Sequence, residues 1–165
     1  MRGYFITFFV ALVLGIAGGA ALGIFVYPYI FLADIVATEK VPEKPAGQPE
    51  RKVLARGTFV HANPADPIHW GKGRVTVYES LLHLEPDFEV GPGPKYHVYL
   101  VPEKEITLST NVERTMFVDL GRLRAFKGSQ NYEVPAGVDL AKYASVVIWC
   151  EQFGVLISPA KLGPP

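Results

Sequence analysis

Between Gly3 and Ala33 the chain carries no charged residue, a run of 31 positions, and this run restricts the fold more than any other feature. About 20 apolar residues suffice to cross about 30 Å of hydrocarbon, so it predicts one transmembrane helix, with residues 4–32 in contact with the bilayer. A helix that is apolar on every side could otherwise hide only in a large interior. The chain has 165 residues in all, which leaves a single further domain of roughly 110 residues. A cleaved signal peptide is the rival reading, because Gly18-Gly19-Ala20-Ala21 offers small residues to a peptidase. The apolar run continues beyond that point through Leu22, Ile24, Phe25, Val26, Tyr27, Tyr29, Ile30, Phe31 and Leu32, as a retained anchor requires.

Arg2 and the amino terminus form a short positive flank, and Asp34 and Glu39 are the first charges beyond the run. The amino terminus is therefore expected in the cytoplasm and the domain on the extracellular or periplasmic side, with Tyr27 and Tyr29 at the far interface. Gly15, Gly19 and Gly23 recur every four residues, a small-residue stripe that could let two such helices associate.

The next segment holds Pro42, Pro45 and Pro49 among alternating charges, with little to bury. It reads as a semi-rigid spacer able to hold the domain up to about 45 Å from the bilayer in polyproline conformation. The expected organisation is an anchor at 1–37, a tether at 38–53 and one β domain at 54–165. Lys plus Arg equal Asp plus Glu at 16 each, so no basic excess is available for nucleic acid.

From Val53 onward, short apolar runs alternate with Gly, Pro and Asn, and no long helical period appears. Arg74–Tyr78, Leu82–Glu85 and Tyr96–Val101 have strand character. The expectation is an all-β domain, a β-sandwich or small barrel of about eight short strands. Ser145–Cys150 and Phe153–Ile157 look like a hairpin. A two-residue turn at Glu151-Gln152 would pair Cys150 with Phe153, Trp149 with Gly154, Ile148 with Val155 and Val146 with Ile157. One face would then be Val146, Ile148, Cys150, Phe153, Val155 and Ile157, with Trp149 lying across bare Gly154 on the other.

Cys150 is the one cysteine, which excludes an internal disulfide and any Cys-x-x-Cys pair. Its place at the end of a core-facing row suits a buried, inert thiol, or one at a rim that a partner or cofactor can reach. No His follows Cys150, so a cupredoxin-type copper site is excluded, and without Cys-x-x-Cys-His so is covalent haem. No metal site is predicted. Among His61, His69, His83 and His97, His69 stands out because Ile68-His69-Trp70-Gly71-Lys72-Gly73 reads as a glycine-bearing loop that could approach a ligand or the hairpin edge. No serine sits in a Gly-x-Ser-x-Gly context, so a hydrolase of that type is not indicated and a classical enzyme is disfavoured.

The segments Leu120–Leu123, Gly128-Ser129-Gln130-Asn131-Tyr132-Glu133-Val134-Pro135 and Val146–Val155, with upstream Gly57-Thr58-Phe59, His69, Gly73, Gly93-Pro94 and His97–Leu100, resemble the DM-thirteen domain. That family occurs beside DOMON domains in animals and in exported bacterial proteins. The likeness covers nearly all of Arg56 to Leu162, with Lys95 where an acidic residue is common and Ala125 where glycine is usual. The resemblance implies a β-sandwich-like redox or electron-transfer module centred on one cysteine, here Cys150, as a free thiol or a haem or metal ligand, which the expected anchor would hold at the membrane. His69 and Trp149 join it as candidate cofactor contacts, the cofactor is unknown with haem a candidate, and a redox protein is the expected partner. A non-catalytic surface binding or scaffolding module is the alternative.

Overall fold

In the computed structural model, residues 2–45, 47 and 49–165 are described. The uncharged run forms helix α1 (Arg2–Tyr27), followed by one π-helical turn at Pro28–Leu32. Pro28 brings no amide hydrogen and cannot continue the i to i−4 ladder, which explains why the winding changes there. Gly3–Ile24 is long and apolar enough to cross a membrane, and none of it is buried within the protein.

The remainder is mostly β: β1 (Val36–Thr38), β2 (Val53–Phe59), β3 (Gly71–Tyr78), β4 (Leu81–Leu84), β5 (Glu89–Val90), β6 (Tyr96–Val101), β7 (Val118–Arg122), β8 (Lys127–Glu133), β9 (Ser145–Cys150) and β10 (Val155–Gly163). They form one sheet in the order β1-β8-β4-β3-β2-β10-β9-β6-β7, and β5 bridges β3 and β8. All pairs are antiparallel except β1 with β8. The 123–126 connection joins regions far apart along this path. Leu123 donates its amide to Tyr96 O at 2.8 Å, and Phe126 O accepts from Val90 at 2.9 Å. The sheet thus curls over one core, the sandwich or small barrel that the strand pattern predicts, with ten strands where about eight are expected.

Inward positions follow the period of two that a strand imposes. Val75 and Val77 of β3, Leu82 and Leu84 of β4, Val98 and Leu100 of β6, and Val146 and Ile148 of β9 meet in the main core. A second cluster lies on the outer face of β6 and β9, where Tyr99, Val101, Val147, Trp149 and Leu156 are covered by Val112, Ile106 and Phe117 from the 102–117 loop. Coverage on both faces is why all six residues of β9 are buried.

Two features go beyond the sequence expectation. The boundary between the stretches read as anchor and spacer lies against the domain: Val36, Ala37 and Thr38 pair with Lys127, Gly128 and Ser129. Glu39 accepts from Arg124 Nη2 at 2.8 Å and from the Asn131 amide at 2.8 Å, and Asn131 Nδ2 donates to Lys40 O at 2.7 Å. The end of α1 therefore stands against the domain, where Gly23, Tyr27 and Leu32 share a cleft with Tyr96, Arg122 and Phe126. The hairpin register also differs. Cys150 pairs with Val155 and Trp149 with Leu156, and a bulge before Ser158 restores the ladder to Ile148. Residues 151–154 form a four-residue turn, so Phe153 is 45% exposed instead of joining the core. The turn takes this length because Gly154 adopts φ +62°, a conformation that only glycine enters freely.

Candidate functional site

Cys150 ends β9 on its inner face and is almost sealed, with 1% of its surface exposed. Its Sγ donates to Pro94 O at 3.2 Å. Burial raises the thiol's pKa, opposed by backbone amides of Phe153 and Gln152. Cys150 nevertheless forms part of the wall of a cleft of about 350 Å³ whose lining includes Ile68, His69, Pro94, Tyr96, Phe153 and, from α1, Val26. The inert-thiol reading expects aliphatic carbon on every side. Here Cys150 shares the wall of a cleft with an imidazole.

His69 reaches this place through a local turn that begins at Asp66. The Asp66 carboxylate accepts from the amides of Ile68 at 2.8 Å and His69 at 3.1 Å, and its second oxygen accepts from His69 Nδ1 at 2.7 Å. These bonds, the imidazole first, hold the Asp66 carboxyl at about 2, far below the ordinary carboxylate range. Nδ1 bears a proton and donates it to the ionised Asp66, a placement assigned from the bonding network. His61 extends the support by donating Nε2 to Asp66 O at 2.8 Å. Asp66 was not singled out from sequence, although an Asp three residues before the candidate His is a recognisable turn-forming spacing.

The glycines after His69 belong to β3 and not to a loop. At Gly73, φ is +100° and an added Cβ would meet Phe88 Cα at 2.4 Å. This close approach fixes how β3 leaves the His69 turn.

Trp149 occupies the other face of β9. Its Nε1 donates to Glu113 Oε1 at 3.3 Å within the outer cluster. The structure thus brings Cys150 and His69 to one cleft and turns Trp149 away from it. The other histidines are engaged elsewhere: His83 is 5% exposed and lies 2.7 Å from Asn131 Oδ1, and His97 is flanked by Asp119 at 3.0 Å and Glu151 at 3.3 Å. Tyr99 donates to the same Glu151 at 2.9 Å.

The Gln-Asn-Tyr segment has a structural explanation. Gln130 is fully buried. Its side-chain oxygen accepts from the amides of Arg124 and Ala125 and from Tyr132 Oη, and its Nε2 donates to Ala125 O. This one amide clamps the connection that closes the sheet beside Tyr96. Ala125 fits there at 6% exposure. Lys95 stands at φ +48°, and its carbonyl accepts the Glu151 amide at 3.1 Å, so backbone geometry ties the Gly-Pro turn to the β9–β10 hairpin.

An axial thiolate for haem does not fit this arrangement. The Cys150 proton is committed to Pro94 O, and burial favours the neutral form of the thiol over the thiolate. What the donor set offers is a protonated thiol and an imidazole in an apolar setting. No curated protein and no solved structure matches the chain. The protein family described as Electron transfer DM13 matches residues 65–162, more than half of the chain and the span that contains His69, the Gly93-Pro94 turn, the Gln130 clamp and Cys150. The chain belongs to that family.

Proposed function

We propose that this protein is a membrane-anchored, extracytoplasmic electron-transfer module whose working centre is the cleft shared by Cys150 and His69. The observation that carries the proposal is the meeting of the one cysteine and a carboxylate-supported histidine in a single apolar cleft. Family membership supports redox work in general. Anchoring rests on the Gly3–Ile24 helix, and the outward orientation on the Arg2 flank and the acidic Asp34 beyond it.

A neutral thiol is a weak nucleophile, because the thiolate is the reactive form. Activation therefore needs a base or a partner that takes the proton, and His69 is the base within the cleft. The fold keeps the sulfur quiet until an occupant enters.

The test uses full-length protein extracted in detergent and assayed for electron exchange with a chemical mediator. Cys150→Ser keeps a hydroxyl donor for Pro94 O, so stability should change by only about 1 kcal/mol, while electron exchange falls at least tenfold. Unchanged exchange in a folded Cys150→Ser protein would leave a tethered binding module in place of a redox one.

A further inference from the structure

We infer that the Cys150–His69 cleft is a binding site for a quinone-class carrier drawn from the bilayer, a ring with hydroxyl or carbonyl oxygens and an apolar tail. The inference rests on the proposed working centre and names its ligand class.

The first argument is the lining. The cleft is about 350 Å³ and has no Lys, Arg, Asp or Glu among its lining residues. A charged ligand would lose its hydration there without compensation, whereas an uncharged ring would not. The volume lies in the range of small-molecule sites.

The second is hydrogen-bond accounting. The thiol is committed to Pro94 O, and His69 Nδ1 to Asp66. The other side chains with polar groups among the lining residues are the His69 imidazole and the Tyr96 phenol. An occupant that is apolar over most of its surface and carries oxygen atoms on a ring, as a quinone or hydroquinone does, matches such a wall. A plain acyl chain would cover the imidazole and offer it nothing.

The third is position. Val26 lies two residues beyond Ile24, the last residue of the membrane-length span, which is about 3 Å along a helix. With the span in lipid, the cleft sits at the bilayer surface. Beyond Val36, the exposed large hydrophobics among the described residues are Val60, Ile68, Leu108, Met116 and Phe153, and two of these five line this cleft. Ile68 is 51% and Phe153 45% exposed, an apolar rim that suits entry of a ligand partitioned into lipid.

The experiment titrates full-length protein in lipid nanodiscs with decylubiquinol, decylubiquinone and decylbenzene, following intrinsic tryptophan fluorescence and confirming stoichiometry by equilibrium dialysis. The expected result is saturable binding of decylubiquinol at one site per chain, at least tenfold tighter than decylbenzene. His69→Ala should weaken the hydroquinone about tenfold and leave decylbenzene unchanged, while Ile68→Ser weakens both. No saturable binding, or equal affinity for decylbenzene with no effect of His69→Ala, overturns the inference and makes the cleft a lipid-chain contact. The assay reads binding alone. Loss of electron exchange in Cys150→Ser without quinol binding would keep the working centre and remove the ligand, and quinol binding with unaltered exchange in that variant would remove the working centre.

Discussion

Val146, Ile148 and Cys150 face the inner core of the curled sheet, whereas Val147 and Trp149, on the same strand, face a cluster closed by the 102–117 loop. Both faces are buried, and both are apolar with one distinctive side chain near the end of β9. They differ in what lies past that end. Trp149 meets Glu113 and further packing. Cys150 meets the Pro94 carbonyl and then an open cleft. Burial alone therefore does not separate a structural residue from a site residue; what the neighbouring space can admit does.

The largest effect that sharpens this contrast comes from Ile148, which is fully buried one inner position before Cys150. Ile148→Ala should cost about 2–5 kcal/mol, read from urea unfolding of the full-length protein in detergent. The cavity opens beside Cys150, so alkylation of the thiol by a small maleimide should also speed up. Trp149→Phe keeps most of the outer packing and loses the Glu113 hydrogen bond, a cost of about 1 kcal/mol. It should leave the alkylation rate alone. Equal acceleration by both substitutions would show that the faces are not independent.

These faces were only partly legible in the sequence. The alternation in Ser145–Cys150 is strong, so the inner and outer assignments of Val146, Ile148 and Cys150 follow from the period of two. The turn was not legible: a two-residue and a four-residue reversal are both compatible with Glu-Gln-Phe-Gly, and the choice depends on Gly154 at φ +62° and on the bulge before Ser158. The pairing at the boundary of anchor and spacer was not legible for a related reason. Val36–Thr38 is too short to show a strand pattern, and the partners that hold this stretch to β8 are some 90 residues away, Ser129 and Asn131 among them. His69 was visible by its glycine context, and the Asp66 spacing was there to be read as a turn, but the contact of its carboxylate with the imidazole shows only in three dimensions.

The thiol gives a smaller, pH-dependent effect. Burial raises the Cys150 pKa in the folded protein, so the folded state retains its proton when the unfolded thiol has begun to ionise near its usual value of about 8.5. The unfolded state then binds fewer protons, and stability falls as pH rises through that value. Cys150→Ser should flatten this decline between neutral and alkaline pH in chemical unfolding, whereas Trp149→Phe should keep it. Persistence of the decline in Cys150→Ser would assign it to another group.

The smallest effect on stability, and the most specific one at the cleft, belongs to Asp66. Its folded pKa is depressed to about 2, so its contribution is fully present above the ordinary carboxylate range and is lost as pH falls toward 2. In Asp66→Asn the oxygen that serves the Ile68 and His69 amides can stay, while an amide NH2 replaces the oxygen that faces His69 Nδ1. That NH2 is a donor, so Nδ1 must become the acceptor and the ring proton must move to Nε2. The ring proton then changes place with almost no change in the shape of the cleft. Nitrogen NMR of the labelled imidazole should show the tautomer exchanged, and decylubiquinone, which brings a carbonyl, should gain affinity relative to decylubiquinol. An unchanged tautomer would mean that Asp66 does not set the polarity of the cleft, and that the contrast between the two faces of β9 rests on packing alone.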